Sequence, residues 1–292
     1  MSIQTLVKDF IRVGFSSDDF YSVINGAYRR FYGEDLMLHY PICRRRGEGL
    51  LQCQKNLTDY CLSKLPDLRE QQVLEIGCGN GVQSTYILEN YKPARITGVD
   101  LSQANIMIAR NRSVPPDRLV FLLDDAQELS RIEDESIDTV LNIESAFHYP
   151  DKNRFLTQIC RVLKPGGRFL IADILNRDNR GRKILSFWQR RMNLNHWTPE
   201  EYRNALRANG LQINHQEDIT PLVLQGYRNA RIWSRTFLAQ SLIPALMGYS
   251  WGKAMAAVNC LLLLTLRRYY LFAGEKSHVQ KKVRVSNSHD RT

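Results

Sequence analysis

The stretch from Val73 to Gly81 limits the possible folds more than any other part of this 292-residue chain. It reads VLEIGCGNG, so a short, mostly apolar run passes directly into three glycines at alternate positions. Such a run indicates a strand with both faces buried, as in a parallel sheet. The glycines allow a sharp turn and a close approach of the backbone to a ligand, because no Cβ stands in the way.

The residues after this turn complete a βαβ unit. The pattern predicts a helix from Gln83 to Tyr91 and a second strand from Arg95 to Asp100, which ends in an acid nineteen residues after Gly81. A strand, a glycine turn, a helix, a second strand and an acid, in this order, are typical of a nucleoside-binding unit.

The glycine spacing separates two classes of ligand for this unit. A dinucleotide site has the pattern G-x-G-x-x-G and receives a pyrophosphate at the helix N-terminus. Here the pattern is G-x-G-x-G, and Glu75 lies two residues before the first glycine. A carboxylate at that place favours a cationic ligand such as S-adenosylmethionine (SAM). A dinucleotide site and an ordinary turn with chance glycines remain the alternatives.

Four motifs together resemble class I SAM-dependent methyltransferases in their order and spacing. They are Val73–Gly81, Gly98–Ser102, Asp124–Ala126 and Arg161–Gly167. The resemblance implies an α/β fold with a Rossmann-like, seven-stranded, mostly parallel sheet. It is strong from Val73 to Ile174 and says little about the substrate.

The same resemblance implies a division of the chain. Residues 1–66 are expected to form an N-terminal helical arm, and residues 67–275 the SAM-binding domain. Helical insertions at about 177–196 and 225–266 are expected to form a lid over the acceptor. Residues 276–292 are polar and basic and are expected to be a flexible tail.

The motifs also imply residues that bind SAM. Asp100 would accept hydrogen bonds from the ribose hydroxyls, and Asp125 would accept one from the adenine amino group. For Asp100 the alternative is a cap on the next helix, and for Asp124 and Asp125 it is a plain turn. The predicted cofactor-binding residues are Glu75, Gly77, Cys78, Gly79, Gly81, Asp100, Leu101, Asp125, Ala126 and Asn142.

The segment from Asn142 to Pro150 should receive the methyl acceptor, because ligands bind beyond the carboxyl ends of strands in open α/β sheets. It lacks the Asn/Asp-Pro-Pro-Tyr/Phe motif of nucleobase and protein-glutamine methyltransferases. It resembles instead the matching stretch of tocopherol, sterol, sugar and polyketide methyltransferases. We predict His148 and Glu144 as the catalytic residues. A histidine that only positions the backbone is the alternative for His148.

Four residues are predicted to contact the acceptor. His39 and Tyr40 match an aromatic-rich segment that covers the methionine end of SAM in the same small-molecule enzymes, although the glycine between these two positions is missing here. The alternative is that both are ordinary core aromatics. Trp188 and Trp233 lie in the two expected lid insertions, where an apolar pocket needs large side chains.

Net charge and cysteine content limit the partners and the location. The net charge of +10 fits an anionic surface or nucleic acid, but aromatic residues do not alternate with the bases as a stacking platform requires. The apolar run Ala254–Leu266 is too short to span a bilayer. It is expected to be a buried lid helix, and an interfacial helix at an anionic membrane surface is the alternative. Six cysteines without metal spacing are expected to be reduced thiols in a cytoplasmic chain, with no metal site.

The sequence therefore predicts a SAM-dependent methyltransferase that acts on a lipophilic small molecule, without a specific nucleic-acid partner. Neither the acceptor atom nor the oligomeric state follows from it. Two alternatives remain open, namely a SAM-dependent RNA methyltransferase and a SAM-binding scaffold without catalysis.

Overall fold

The computed structural model describes residues 25–26, 29, 35–112, 115–179, 194–228, 261–262 and 265–277. Several predicted features lie wholly or largely outside the described residues. They are the first part of the N-terminal arm, the two insertions with Trp188 and Trp233, and the tail.

A seven-stranded sheet in the order β3-β2-β1-β4-β5-β7-β6 forms the centre of the molecule. Each pair of neighbouring strands from β3 to β5 in this order is parallel, whereas β7 runs antiparallel to both β5 and β6. This confirms the predicted Rossmann-like, mostly parallel sheet. The strands are β1 Gln72–Ile76, β2 Arg95–Asp100, β3 Leu119–Leu123, β4 Ile137–Ile143, β5 Leu163–Asn176, β6 Leu211–Asp218 and β7 Arg267–Lys276.

The helices flank this sheet, and several begin at side chains that accept a backbone N–H. Ser102 caps α3 through Asn105 N, and Thr198 forms a capping box with Glu201 at the start of α5. The α-helices are α1 Leu50–Leu62, α2 Val82–Tyr91, α3 Gln103–Arg110, α4 Lys152–Val162, α5 Pro199–Ala208 and α6 Thr220–Arg228.

Strand β1 is buried on both faces, as its apolar sequence predicts. Val73 belongs to one hydrophobic cluster, whereas Leu74 and Ile76 belong to another. Successive residues of a strand point to opposite faces, so the two clusters cover the two sides of the sheet. The carboxyl ends of β1, β2 and β4 therefore meet at one edge between two helical layers.

Strand β5 is longer than the sequence predicts. We expected it to run from Arg168 to Ile174 after a Pro-Gly-Gly turn, but it begins at Leu163 and ends at Asn176. Leu163 pairs with Ile137, and the ladder resumes at Arg168 with Thr139. The expected turn is therefore a bulge within the strand, because the residues on both sides of it pair with β4.

The prediction that all cysteines are reduced thiols was wrong for two of them. Cys43 and Cys53 form a disulfide, with their Cα atoms 4.6 Å apart. Cys61, Cys78 and Cys160 are free thiols, as predicted, and Cys260 lies outside the described residues. The separation of ten residues between Cys43 and Cys53 does not indicate a disulfide by itself. The bond depends on how the segment before α1 folds back on that helix.

None of the helices in the described part of the chain has the length and apolar character needed to cross a bilayer.

Candidate functional site

The glycine turn after β1 has a backbone that only glycine fits. Gly77, Gly79 and Gly81 have φ angles of +74°, +55° and +76°, in the left-handed region. A Cβ at Gly77 would lie 2.2 Å from Ser145 Oγ, and one at Gly79 would lie 2.9 Å from Leu38 Cδ1. The turn is therefore packed against the loop after β4 on one side and against the segment before α1 on the other.

Asp100 at the end of β2 is directly bonded to this turn. Its Oδ2 accepts from the backbone N–H of Gly79 at 2.9 Å, and its Oδ1 accepts from Ser102 N at 2.8 Å. The next side chain, Leu101, is 71% exposed. A carboxylate and an exposed apolar side chain thus lie side by side at the carboxyl edge of the sheet.

The two acids after β3 have different environments. Asp124 is buried and accepts from Ser130 Oγ at 3.1 Å and from Arg131 N at 3.0 Å, so it organises its own loop. Asp125 is only half-buried and bonds to Gln127. Its position agrees with the choice of Asp125 over Asp124 as the ligand-facing acid, although this role stays a prediction.

Glu75 lies inside the protein beneath the turn. Its carboxylate is 2% exposed and accepts from Gln83 Nε2 at 2.7 Å and from the Ser84 hydroxyl. Burial raises the pKa of Glu75 to about 7. The carboxylate thereby ties β1 to the first turn of α2, and its direct contact with a cationic ligand stays a prediction.

The end of β4 carries a polar cluster next to Gly77. Asn142 Nδ2 donates to Ile76 O at 3.0 Å and to Ser145 Oγ at 2.7 Å, and Ser145 Oγ lies 2.8 Å from Tyr149 Oη. Asn142 Oδ1 is buried and has no hydrogen-bond partner among the described residues. It is an acceptor that a ligand could satisfy, because buried polar atoms are rarely left without a partner.

Glu144 joins this cluster to the segment before α1. It has a left-handed φ of +57° and is 8% exposed, and its Oε2 accepts from the backbone N–H of Tyr40 at 2.7 Å. Burial raises the pKa of Glu144 to about 8. A strained backbone at a non-glycine residue is typical of functional sites. Tyr40, predicted to contact the acceptor, and Glu144, predicted to be catalytic, are thus in direct contact.

His39 lies beside Tyr40 and is also buried. Its Nδ1 is 2.9 Å from Tyr40 O, and its Nε2 is 3.3 Å from Thr58 Oγ1 on α1. Burial lowers the pKa of His39 to about 4, so the ring is neutral at physiological pH. This imidazole fixes the segment over the site through both of its nitrogens.

His148 ends a short 3-10 helix, Ala146–His148, that follows β4. Burial, and to a smaller extent the charge of Lys152, lowers the pKa of His148 to about 4. Its ring centroid is 4.3 Å from that of Phe147, which in turn stacks on His196 at 5.3 Å. The predicted base is thus a neutral imidazole at the end of a row of three rings.

Sequence reasoning missed several buried polar residues around this edge. Tyr149 and His196 were not predicted, and neither was Lys152, which is fully buried and donates to Ala146 O at 2.6 Å and to Asn195 O. Asp173 is fully buried and accepts from Tyr202 Oη at 2.8 Å. An acid inside the apolar strand β5 was a signal that could have identified it. Trp188 and Trp233 lie outside the described residues.

The residues at this edge fit a cofactor of the SAM type. The glycine turn leaves a cradle that a Cβ would fill, and Asp100 provides carboxylate oxygens beside it. Asn142 Oδ1 offers a buried acceptor. Hydrogen-bond acceptors predominate among these groups. They suit a ligand whose hydroxyl, amino and ammonium groups donate hydrogen bonds, and they do not suit a diphosphate.

The comparisons with known proteins agree with the resemblance of the four sequence motifs to methyltransferases. Residues 74–171 match the family described as "Methyltransferase domain". A phthiotriol/phenolphthiotriol dimycocerosates methyltransferase of Mycobacterium tuberculosis is 34% identical over 212 residues, which are 73% of this chain and 68% of that protein. A fatty-acid O-methyltransferase of Mycolicibacterium smegmatis is 40% identical over 124 residues, or 42% of this chain and 43% of that protein.

The fold is also similar to that of solved structures. Geranyl diphosphate C-methyltransferase from Streptomyces coelicolor, in complex with S-adenosyl-L-homocysteine, has a TM-score of 0.63 and 18% identity, covering 88% of this chain and 97% of that one. At this identity the likeness shows the fold alone. The mycobacterial relative shows the family, because the match covers 68% of its length. The chain therefore belongs to the class I SAM-dependent methyltransferases, and SAM is its methyl donor.

Proposed function

We propose that this chain transfers a methyl group from SAM to a lipophilic small molecule and releases S-adenosylhomocysteine. The names of two relatives support the acceptor class, since one is a methyltransferase of phthiotriol/phenolphthiotriol dimycocerosates and the other a fatty-acid O-methyltransferase. The observation that carries the proposal is the close packing of Gly77 on Ser145. The cofactor turn and the acceptor loop are direct neighbours.

Residues in or directly after four strands, β1 to β4, would hold the cofactor. Asp100 accepts from the ribose diol, since a carboxylate offers two strong acceptors, and Asp125 accepts from the adenine amino group. Leu101 covers an apolar face of the base with its exposed side chain. When bound, SAM supplies an electrophilic methyl group on a sulfonium. The remaining members of the cofactor site are Glu75, Gly77, Cys78, Gly79, Gly81, Ala126 and Asn142.

His148 removes the proton that the acceptor loses. Its imidazole is neutral because burial lowers its pKa to about 4, so it has a lone pair available across the physiological range. Glu144 has a pKa of about 8 and largely keeps its proton at neutral pH. It therefore acts as a hydrogen-bond donor toward an acceptor oxygen. Two groups with pKa values displaced in opposite directions suit separate roles as base and acid.

The acceptor is enclosed by the N-terminal arm and the lid. Support for the arm comes from His39 and Tyr40, which lie against α1 and Glu144. Residues 1–66 form the arm in this proposal, and the insertions at about 177–196 and 225–266, with Trp188 and Trp233, form the lid. A lid that excludes water strengthens electrostatic interactions near the sulfonium. The basic residues bring the enzyme to anionic membrane surfaces where lipophilic acceptors reside.

Two substitutions test the proposal. Asp100→Ala should weaken SAM binding at least about a hundredfold, because hydrogen bonds to a charged group contribute about 1.5–3 kcal/mol each. His148→Ala should bind SAM normally and lower turnover about a hundredfold or more. Calorimetric titration with SAM measures the first effect. Methyl transfer from labelled SAM to a long-chain alcohol, which must lose its hydroxyl proton, measures the second.

A matched control is Asp117→Ala, at an exposed acid before β3. It should leave both binding and turnover unchanged. Normal SAM affinity in Asp100→Ala would refute the cofactor site, and normal turnover in His148→Ala would refute the base.

A further inference from the structure

Three buried asparagines connect the N-terminal part of the chain to the cofactor site. Asn25, Asn80 and Asn105 are each 2% exposed. Asn80 lies in the glycine turn and Asn105 in the first turn of α3, whereas Asn25 belongs to the part of the chain before α1. Asn25 therefore contacts Asn80, which lies 55 residues later in the sequence, and Asn105, which lies 80 residues later.

The hydrogen bonds among these side chains form a closed ring with Asp100. Asn80 Nδ2 donates to Asn25 Oδ1 at 2.8 Å, and Asn25 Nδ2 donates to Asn105 Oδ1 at 2.9 Å. Asn105 Nδ2 donates to Asp100 Oδ1 at 3.4 Å, and Gly79 N donates to Asp100 Oδ2 at 2.9 Å. The peptide bond between Gly79 and Asn80 closes the ring.

The orientation of each asparagine amide in the ring is fixed from its two ends. Backbone atoms fix the amide of Asn80, and the Asp100 carboxylate fixes that of Asn105. Asn80 Oδ1 accepts from Val82 N, and Asn80 Nδ2 also donates to Leu36 O, so this amide cannot be flipped. Its second N–H must then meet an oxygen of Asn25. Because the Asp100 carboxylate only accepts, Asn105 must present its Nδ2 to it. All the N–H groups therefore point along the ring toward Asp100, which is a cooperative arrangement.

We infer that Asn25 is a positioning residue for SAM, which acts through Asn105 on Asp100 and through Asn80 on the glycine turn. The inference rests on the proposed role of Asp100 in binding the cofactor. Asn25 holds no atom of the cofactor in this scheme. It fixes the distance and orientation between the carboxylate and the turn, and it makes cofactor affinity depend on the N-terminal part of the chain.

A second contact between the same parts of the molecule supports this coupling. Asp35 bonds to Arg112 Nη2 at 3.0 Å, and Arg112 Nε donates to the backbone oxygen of Asn80 at 2.8 Å. Arg29 also pairs with Asp35. The side chain of Asn80 is thus held by Asn25, and its backbone oxygen is held by Arg112, which pairs with Asp35. Both Asn25 and Asp35 lie before α1.

The test uses the full chain with SAM and S-adenosylhomocysteine as calorimetric ligands. Asn25→Ala should weaken binding of both about tenfold, the effect of losing about 1.4 kcal/mol of hydrogen bonding. At saturating SAM its kcat should stay within about twofold of the wild type, since the hydrogen bonds of Asn25 go to Asn80 and Asn105 on the cofactor side. A merely structural role would lower the melting temperature and the active fraction, with SAM affinity per folded molecule unchanged, and that result would overturn the inference.

Asn25→Asp adds a signature that a structural role cannot imitate. Its carboxylate still accepts from Asn80 but can donate to Asn105 only when protonated. Burial and the nearby Asp100 raise the pKa of such a group. SAM affinity of Asn25→Asp should therefore improve at least about fivefold from pH 8 to pH 6 relative to the wild type, while Asn25→Ala stays flat relative to it.

Asn209→Asp is the matched control, because it removes an amide donor from a half-buried asparagine at the end of α5, away from the ring. It should bind SAM like the wild type. If both Asn25 variants bind SAM with wild-type affinity while Asp100→Ala binds it weakly, the role of Asn25 is refuted and the proposed cofactor site is not. Wild-type affinity in Asp100→Ala would end the proposed cofactor site itself.

Discussion

The backbone N–H of Tyr40 donates to Glu144 Oε2 at 2.7 Å, across 104 positions of the sequence. This contact places the segment before α1 over the carboxyl end of β4. Burial raises the pKa of Glu144 to about 8 at this place, against the smaller lowering effect of the hydrogen bond from Tyr40.

Glu144→Gln should change how stability depends on pH. Between the unfolded pKa near 4.5 and the folded value of about 8, the native state keeps a proton that the unfolded state has lost. The contribution of Glu144 is therefore complete below pH 4.5 and falls by about 1.4 kcal/mol per pH unit until pH 8. Urea unfolding should show the variant gaining stability relative to the wild type as pH rises from 5 to 8.

The control for this experiment is Glu133→Gln, at an exposed side chain. A constant difference between Glu144→Gln and the wild type over this pH range would contradict the buried, protonated carboxyl.

Gly77→Ala should destabilise the protein by about 2 to 5 kcal/mol, the sum of a left-handed φ penalty and overpacking. The new methyl group would collide with Ser145 Oγ, which is already bonded to Asn142. Gly49→Ala is the matched control, because a Cβ there meets nothing within 4 Å and its φ is −66°. Thermal melting and SAM titration distinguish the two, and equal behaviour would show that the turn tolerates a side chain.

Lys152→Met should lower turnover and stability while SAM still binds. Methionine keeps the length of the side chain but leaves Ala146 O and Asn195 O without their buried donor, at a cost of about 1–3 kcal/mol each. The loop that carries His148 would lose its anchor. Steady-state kinetics and calorimetry measure the effect against Lys92→Met, at an exposed lysine. Unchanged turnover would mean that the loop keeps its position without this anchor.

Cys43→Ser should lower the free energy of unfolding by about 3 kcal/mol, the value expected for a cross-link that closes a short loop. A reductant should produce a similar loss in the wild type and none in the variant. Cys160→Ser is the control, since this thiol is free. Identical melting of the wild type with and without reductant would show that the disulfide does not contribute.

Much of the fold could be predicted because its signals are local. The bounds of β2 and the end of α2 at Tyr91 follow from apolar residues, the glycine turn and the terminal acid within that short segment. The extension of β5 to Leu163 could not be predicted, because it depends on a partner in β4 across a bulge. The Cys43–Cys53 bond depends in the same way on the folding of one segment onto α1.

The same distinction between local signals and contacts that are distant in sequence applies to the site residues. Gly77, Asp100 and Glu144 were identified by their places in motifs, and the structure brings them to one edge. Asn25 and His196 belong to no motif, and their importance comes from partners that are distant in sequence. An asparagine is a common surface residue, so composition and periodicity could not single out one that closes a ring around a carboxylate.

The place of β7 between β5 and β6 has a consequence for biosynthesis. This strand, the last one in the described part of the chain, lies inside the sheet, where it pairs with β5 along nine residues and with β6 on its other side. A nascent chain on the ribosome that has not yet released residue 276 exposes two open strand edges, and either can pair wrongly with another chain. The protein must therefore be protected from aggregation until β7 has left the ribosome.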